Sequence, residues 1–228
     1  MLFRSGSFRD SGLSEAVMRG ADYRAADTMG ALAARAAEAL REQPRALAMV
    51  YHAGLDATGH TCGCGSDAWR FQLGHVDRLA EQLAGALPRG TVMYVTADHG
   101  MVDVNAADRI DADAVPGLRD GVAILGGEPR ARHVYARPGA AADVLATWRE
   151  VLDGSAWVAS RDEAIAEGWF GPVGPGLAER IGDVVAAPAG SAAIVASREE
   201  PRETALFGMH GSLTAADQLV PLLPYRAG

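Results

Sequence analysis

The sequence predicts an α/β protein built on a parallel sheet, and three observations predict it. Residues 46–51 and 91–97 are short apolar runs of strand type, Ala46-Leu47-Ala48-Met49-Val50-Tyr51 and Thr91-Val92-Met93-Tyr94-Val95-Thr96-Ala97. Between them Trp69, Leu73, Val76, Ala80, Leu83 and Leu87 recur in alternating steps of four and three, the period of an amphipathic helix. Strand, helix, strand is a βαβ unit, whose crossover makes its strands parallel. Both strands also run into segments holding Asp and His, as expected where a parallel sheet presents its carboxyl ends.

In chain order, residues 1–25 are polar and rich in Gly, Arg and Ser, and are expected to be irregular. Asp27 is expected to cap a helix from Thr28 to about Leu40, with Met29, Leu32, Ala33, Ala36 and Leu40 as its apolar stripe. The strand at 46–51 should end in a polar loop from His52 to Gly65. Ser66 then caps the second helix, and Pro88-Arg89-Gly90 stops it. Further on, Val122-Ala123-Ile124-Leu125 and His133-Val134-Tyr135-Ala136 read as paired strands split by Gly126-Gly127-Glu128-Pro129. A helix over 141–153 should turn Val144, Leu145, Trp148 and Val151 inward. Ala156-Trp157-Val158-Ala159 reads as a strand. Ser160 and Glu163 form a capping box for a short helix that stops near Gly168. Asp183-Val184-Val185-Ala186 and Ala192-Ala193-Ile194-Val195 should form a hairpin around Pro188-Ala189-Gly190. Residues 1–228 thus read as one domain, with about 105–180 as an inserted α+β lobe.

Hydrophobic residues make up 49% of the 228 and charged residues 22%, enough to bury a core. The net charge of −8 argues against electrostatic capture of nucleic acid. It leaves room for a phosphorylated small molecule, since a metal ion supplies positive charge locally. No apolar run approaches a membrane span, and Met1-Leu2-Phe3-Arg4-Ser5-Gly6-Ser7 lacks the apolar core of a signal peptide. Cys62 and Cys64, one Gly apart, make a poor structural disulfide, so a reduced, cytoplasmic protein is expected.

The chemistry concentrates at the two strand ends. Asp56 and His60 follow the first strand, and Asp98, His99 and Gly100 follow the second. Carboxylate and imidazole are ligands that zinc accepts, and Gly100 would let the backbone turn sharply past them. His210, before Gly211, is the further candidate ligand. A soft site at Cys62 and Cys64 is outweighed by their reading as small loop residues. His52 lies close to the first pair in sequence. His75 is off its helix's apolar stripe and reads as surface, and His133 is given no role. There is no Gly-x-Gly-x-x-Gly, Walker loop or Gly-x-Ser-x-Gly elbow.

Leu55-Asp56-Ala57-Thr58-Gly59-His60, then Thr96-Ala97-Asp98-His99-Gly100-Met101, then His210-Gly211, in that order, resemble the alkaline phosphatase superfamily. The closest branch is the nucleotide pyrophosphatase/phosphodiesterase group, the type I phosphodiesterases. The resemblance implies a doubly wound, mostly parallel α/β fold and two zinc ions. Asp56, His60 and His210 would bind one ion, and Asp98 and His99 the other. It also implies hydrolysis of phosphodiester, pyrophosphate or phosphomonoester bonds. The family's nucleophile, a Thr or Ser at a helix start, and a further Asp ligand normally lie well upstream. Only 55 residues precede Asp56, and Asp10, Asp22 and Asp27 have the wrong context. The chain therefore resembles the C-terminal portion of such an enzyme. The expected outcome is one zinc site with three protein ligands, an incomplete second site and weak or absent turnover. The alternatives are a non-catalytic, truncated metal-binding domain, or the phosphoglycerate mutase branch, which would imply manganese.

Overall fold

The computed structural model of the chain describes residues 1–43 and 45–228. Its elements run β1 (Leu2–Arg4), α1 (Gly12–Val17), β2 (Tyr23–Ala25), α2 (Met29–Glu42), β3 (Met49–Val50), α3 (Gly54–Cys62), α4 (Asp67–Ala86) and β4 (Val92–Thr96). They continue with β5 (Val102–Asp103), β6 (Arg109–Asp111), β7 (Val122–Glu128), β8 (Ala131–Ala136), α5 (Ala141–Val151), β9 (Ala156–Ser160) and α6 (Arg161–Ala166). The last are β10 (Val184–Pro188), β11 (Ala193–Val195), α7 (Pro201–Thr204), β12 (Gly208–Met209), α8 (Ala215–Gln218) and β13 (Leu222–Arg226). Two compact units divide the chain. The first holds residues 1–58, 65–97 and 221–228, and the second holds 59–64 and 98–220.

In the first unit β1 is the middle strand of a parallel sheet ordered β2-β1-β3, with Leu2 opposite both Tyr23 and Met49. Residues 1–25 are therefore not irregular. Leu2 and Phe3 are buried on adjacent positions, so this flanked strand shows no alternation. Three residues are also too few to display a period. Thr28, not Asp27, caps α2, its hydroxyl accepting from the Ala31 amide. Asp27 instead accepts from the Ser5 hydroxyl at 2.8 Å and the Gly6 amide at 2.7 Å, fixing the loop after β1. The core joins Phe3 to Leu32, Ala33, Ala36 and Ala39 of α2 and to Leu79 and Leu83 of α4. Ser66 caps α4 as expected. Leu73 nonetheless stays exposed at 42%, and of the predicted stripe only Leu83 is buried in the core, beside Leu79, which lay outside that stripe. Strand β4 takes β13 as its antiparallel partner, Thr96 opposite Leu222, and is not in the sheet of β3, so the parallel strand pair expected of residues 46–97 does not form among the described residues.

The polar loop expected over His52–Gly65 is instead largely the helix α3. Gly54 and Gly59 within it, Gly63 just past its end and a weak apolar stripe concealed it, because Gly in a helix interior costs about 1 kcal/mol. At Gly54 neighbouring side chains occupy the space that a Cβ would take. A Cβ there would lie 2.5 Å from the His52 imidazole and 2.8 Å from the Gln72 amide nitrogen.

The second unit is built on an antiparallel sheet ordered β7-β8-β10-β9. Its core gathers Val122, Leu125, Val134, Val144, Trp148, Leu152 and Val184. The β7–β8 pair forms as predicted, though β7 runs through the expected break as far as Glu128. Helix α5 buries Val144 and Trp148, while Leu152 rather than Val151 completes its inner face. The Ser160–Glu163 capping box is present in both directions. The hairpin expected between 183 and 195 does not form. Strand β10 pairs with β8 and β9, and β11 runs parallel to β6, Ala193 opposite Arg109. Every residue of β10 and β11 is buried, so neither alternation nor polarity in the sequence reveals a partner. The short β12 pairs antiparallel with β5, Gly208 opposite Asp103.

Candidate metal centre

Helix formation over Gly54–Cys62 changes the meaning of the Asp-x-x-x-His spacing. Positions four apart on a helix lie one above the other, so Asp56 and His60 share a face of α3. Strand β12 holds the end of that helix. The Phe207 amide donates to the His60 carbonyl at 2.8 Å, and His60 Nδ1 lies 2.7 Å from the Gly208 carbonyl. A carbonyl only accepts, so Nδ1 carries the proton and Nε2 keeps its lone pair for a ligand. This is the arrangement by which metal-binding histidines are oriented. Gly208 is required for the approach. A Cβ there would lie 2.5 Å from the Met101 sulfur and 2.7 Å from the Gly59 carbonyl.

The chain leaves β12 directly into His210, and Gly211 follows at φ +115°, a conformation that favours glycine. The His210 ring lies 5.1 Å from that of His60. Asp56, His60 and His210 each offer a ligand atom, all within 4.8 Å of one another, and all three side chains are half-buried. Among the described residues this is the group of three or more such side chains able to hold a metal ion. Two imidazoles and a carboxylate make a donor set of the kind that catalytic zinc sites use.

Asp98 and His99 follow β4. His99 Nδ1 lies 2.8 Å from the Gly100 carbonyl, which leaves Nε2 as its ligand atom too. Its ring stacks on His210 with centroids 3.5 Å apart and planes 17° apart. Asp98 Oδ1 lies 3.7 Å from His99 Nε2, and the Asp98 side chain is 57% exposed. The fold therefore gathers the histidines of both sequence motifs around His210, with Asp98 at the more open side of its own pair.

Gly100 does not serve a left-handed turn, since it is not among the residues of positive φ. It serves a close approach. Its amide donates to the Asp217 carbonyl at 2.7 Å, and a Cβ would lie 1.9 Å from the Ala216 carbonyl oxygen. Asp217 itself is a residue that no sequence motif singles out. It is buried with Arg130, both side chains fully covered, at 2.7 Å. Burial alone would raise the Asp217 carboxyl. The hydrogen bonds from Arg130 and Thr214, the Arg130 charge and the Ser212 amide outweigh it and hold the group below the usual range. The Arg130 guanidinium also donates to the Ala192 and Gly190 carbonyls. Asp103 was likewise missed. It accepts from the Cys64 amide at 2.7 Å and packs on Gly63, just past α3.

The remaining candidates lie outside the group of three. Cys62 and Cys64 form no disulfide, and Cys62 is exposed. His52 Nε2 lies 3.1 Å from the Gln72 side-chain nitrogen, and burial lowers its pKa. His133 Nδ1 accepts from the Gly182 amide, and burial lowers its pKa as well. His75 is exposed, as expected.

The profile of the type I phosphodiesterase / nucleotide pyrophosphatase family matches residues 8–213. The chain belongs to that family. Its fold is that of murine ectonucleotide pyrophosphatase/phosphodiesterase 5, solved as an inactive variant in complex with AMP. The TM-score is 0.69 at 18% identity, covering 90% of this chain and 54% of that one. The human protein of the same name gives a TM-score of 0.69 at 18% identity, over 89% and 54%. Phosphonoacetate hydrolase from Sinorhizobium meliloti 1021, in complex with phosphonoformate, gives 0.61 at 21% identity, over 90% and 53%. No curated protein matches the chain. This member of the type I phosphodiesterase family thus has the α/β, alkaline-phosphatase-like fold expected of it, and spans about half the length of these solved relatives.

Proposed function

We propose that this chain is part of a metal-dependent phosphohydrolase of the nucleotide pyrophosphatase/phosphodiesterase type, acting on phosphodiester, pyrophosphate or phosphomonoester bonds. The observation that carries this reading is the convergence of Asp56, His60 and His210, with His60 fixed in the ligand-competent tautomer by Gly208. Zinc held there would supply Lewis-acid polarisation of a phosphoryl oxygen. Asp56 would contribute the negative charge of the site. His210 and His60 would contribute neutral nitrogen donors whose direction the backbone of β12 sets. Asp98 and His99 are proposed as the two ligands of a second, incomplete site.

On the same reading the chain by itself turns over substrate weakly or not at all. Strand β1 leads into Ser5-Gly6-Ser7, where the Ser5 hydroxyl caps only a single 3-10 turn over Gly6–Phe8 and donates to Asp27. Strand β2 runs on to Asp27 and to Thr28 at the start of α2, but no Asp-Gly step of the family's pattern precedes Asp56. Residues 1–228 are then one partial domain in which about 105–180 form the inserted lobe. The β7-β8-β10-β9 sheet carries that lobe on to Pro188. That Cys62 and Cys64 are not joined in a disulfide supports a cytoplasmic setting. No helix of the described residues is long and apolar enough to cross a membrane.

The experiment is zinc stoichiometry beside hydrolysis of bis-p-nitrophenyl phosphate. One equivalent of zinc, lost in His210→Ala and in Asp56→Asn, with turnover near background, is expected. Zinc content unchanged by His210→Ala would remove the metal site. Robust zinc-dependent turnover abolished by Asp98→Ala would remove the incomplete second site.

A further inference from the structure

The loop after β1 and the start of α3 enclose a cavity of about 230 Å³ in the first unit, unused by the reading above. Arg4 lines it and is itself 7% exposed. Its guanidinium carbon lies 4.1 Å from the Phe8 ring centroid and 4.2 Å from that of Tyr51. With aromatic rings over the guanidinium, its hydrogen-bonding capacity is left at the edge of the planar group. Arg4 Nε is buried without a hydrogen-bond partner. Asp27, the carboxylate among the lining residues, does not approach Arg4 as an ion pair, and its Oδ1 is committed to the Ser5 hydroxyl and the Gly6 amide. A buried, unpaired charge is costly, and stacked aromatic rings return only part of that cost. The rest of the lining is mostly apolar, including Leu32 and Ala57.

We propose that this cavity binds a small organic oxyanion, a carboxylate or phosphoryl group carried on an apolar body, with Arg4 recognising the anion. The guanidinium fork suits two oxygens of one anionic group, and its Nε edge is the one left unsatisfied. The apolar walls suit the body of the ligand. His52, also in the lining, is half-buried and disfavours protonation, which leaves Arg4 as the cation of the site.

The test uses the whole chain, stripped of metal with a chelator, in phosphate-free buffer. No metal is bound and no bond is broken, so the result is independent of the phosphohydrolase reading. Binding of benzoate, phenylphosphonate and neutral benzamide is measured by calorimetry. At least one of the two anions is expected to bind saturably and at least tenfold more tightly than benzamide, and the tighter one names the class. Arg4→Met should abolish this preference, and His210→Ala should leave it intact. Ala57→Leu narrows the cavity while keeping the charge, so it decides the matter should Arg4→Met fail to fold; binding should be lost with the circular dichroism spectrum unchanged. Equal affinity for benzamide, a preference that survives Arg4→Met, or wild-type binding in Ala57→Leu would each overturn the proposal.

Discussion

Gly100 shows how one missing carbon holds the second histidine motif in place. An added Cβ would meet the Ala216 carbonyl oxygen at 1.9 Å, a contact that backbone must move to relieve. Gly100→Ala is therefore expected to lower the unfolding free energy by about 3 kcal/mol, the upper end for overpacking, read as a shifted urea midpoint. The Arg130–Asp217 pair acts through charge instead. Asp217→Asn leaves a fully covered guanidinium facing a neutral amide, and a loss of about 3–5 kcal/mol is expected from breaking a buried pair. Its pH dependence has a definite sign. The Asp217 carboxyl is lowered from 3.8 in the fold, so its contribution is complete above that value. The contribution fades as the pH drops below 3.8 and is gone once the folded-state carboxyl takes up its proton. Acid titration of the urea midpoint should show this component, and Asp217→Asn should lack it.

Among the elements, α3 and α6 were unequally legible. The capping box of α6 was readable because Ser160 and Glu163 are three residues apart and their partners are each other's backbone. The hydrogen bond from Arg149, then those from Ser160, hold Glu163 down to about 2 from its usual 4.5. The sign is that of a depressed carboxyl: support for α6 is complete above pH 4.5 and lost as the pH falls to about 2. Amide protection over 160–166, relative to an unstructured chain at the same pH, should fall across that window, and the mutation Ser160→Ala, a loss of about 1 kcal/mol of cap, should lower it at neutral pH too. Helix α3 was not readable, because its glycines spoke against it and the reason for Gly59 lies elsewhere in the chain. Gly59 sits under Gly208, which β12 brings close and the sequence keeps far away. Gly208→Ala is expected to displace the Gly208 carbonyl from His60 Nδ1 and to weaken zinc binding about 10–100-fold, the usual effect of losing such a support, measured by competition with a chromophoric chelator.

At the scale of the whole molecule, a ligand bound only to the folded chain must stabilise it. Zinc at a hundredfold excess over its Kd should add about 2.7 kcal/mol to unfolding, a rise in Tm that His210→Ala should lose. The sequence by itself determined the family. Asp56 with His60, Asp98 with His99, and His210 are local signatures, and their order was enough to place the chain among the type I phosphodiesterases. The capping box and the β7–β8 pair were equally local. Tertiary structure alone decided the rest. It made a helix of the segment that carries Asp56 and His60, and it put the Gly208 carbonyl where it selects the His60 tautomer. It gave β10 and β11 partners other than each other, and it buried Arg4 against two rings beside a cavity. The physical reason is common to these cases. A residue's type and its nearest spacings are written along the chain, whereas the backbone that accepts its hydrogen bond or excludes its side chain arrives from a distant segment once the fold has formed.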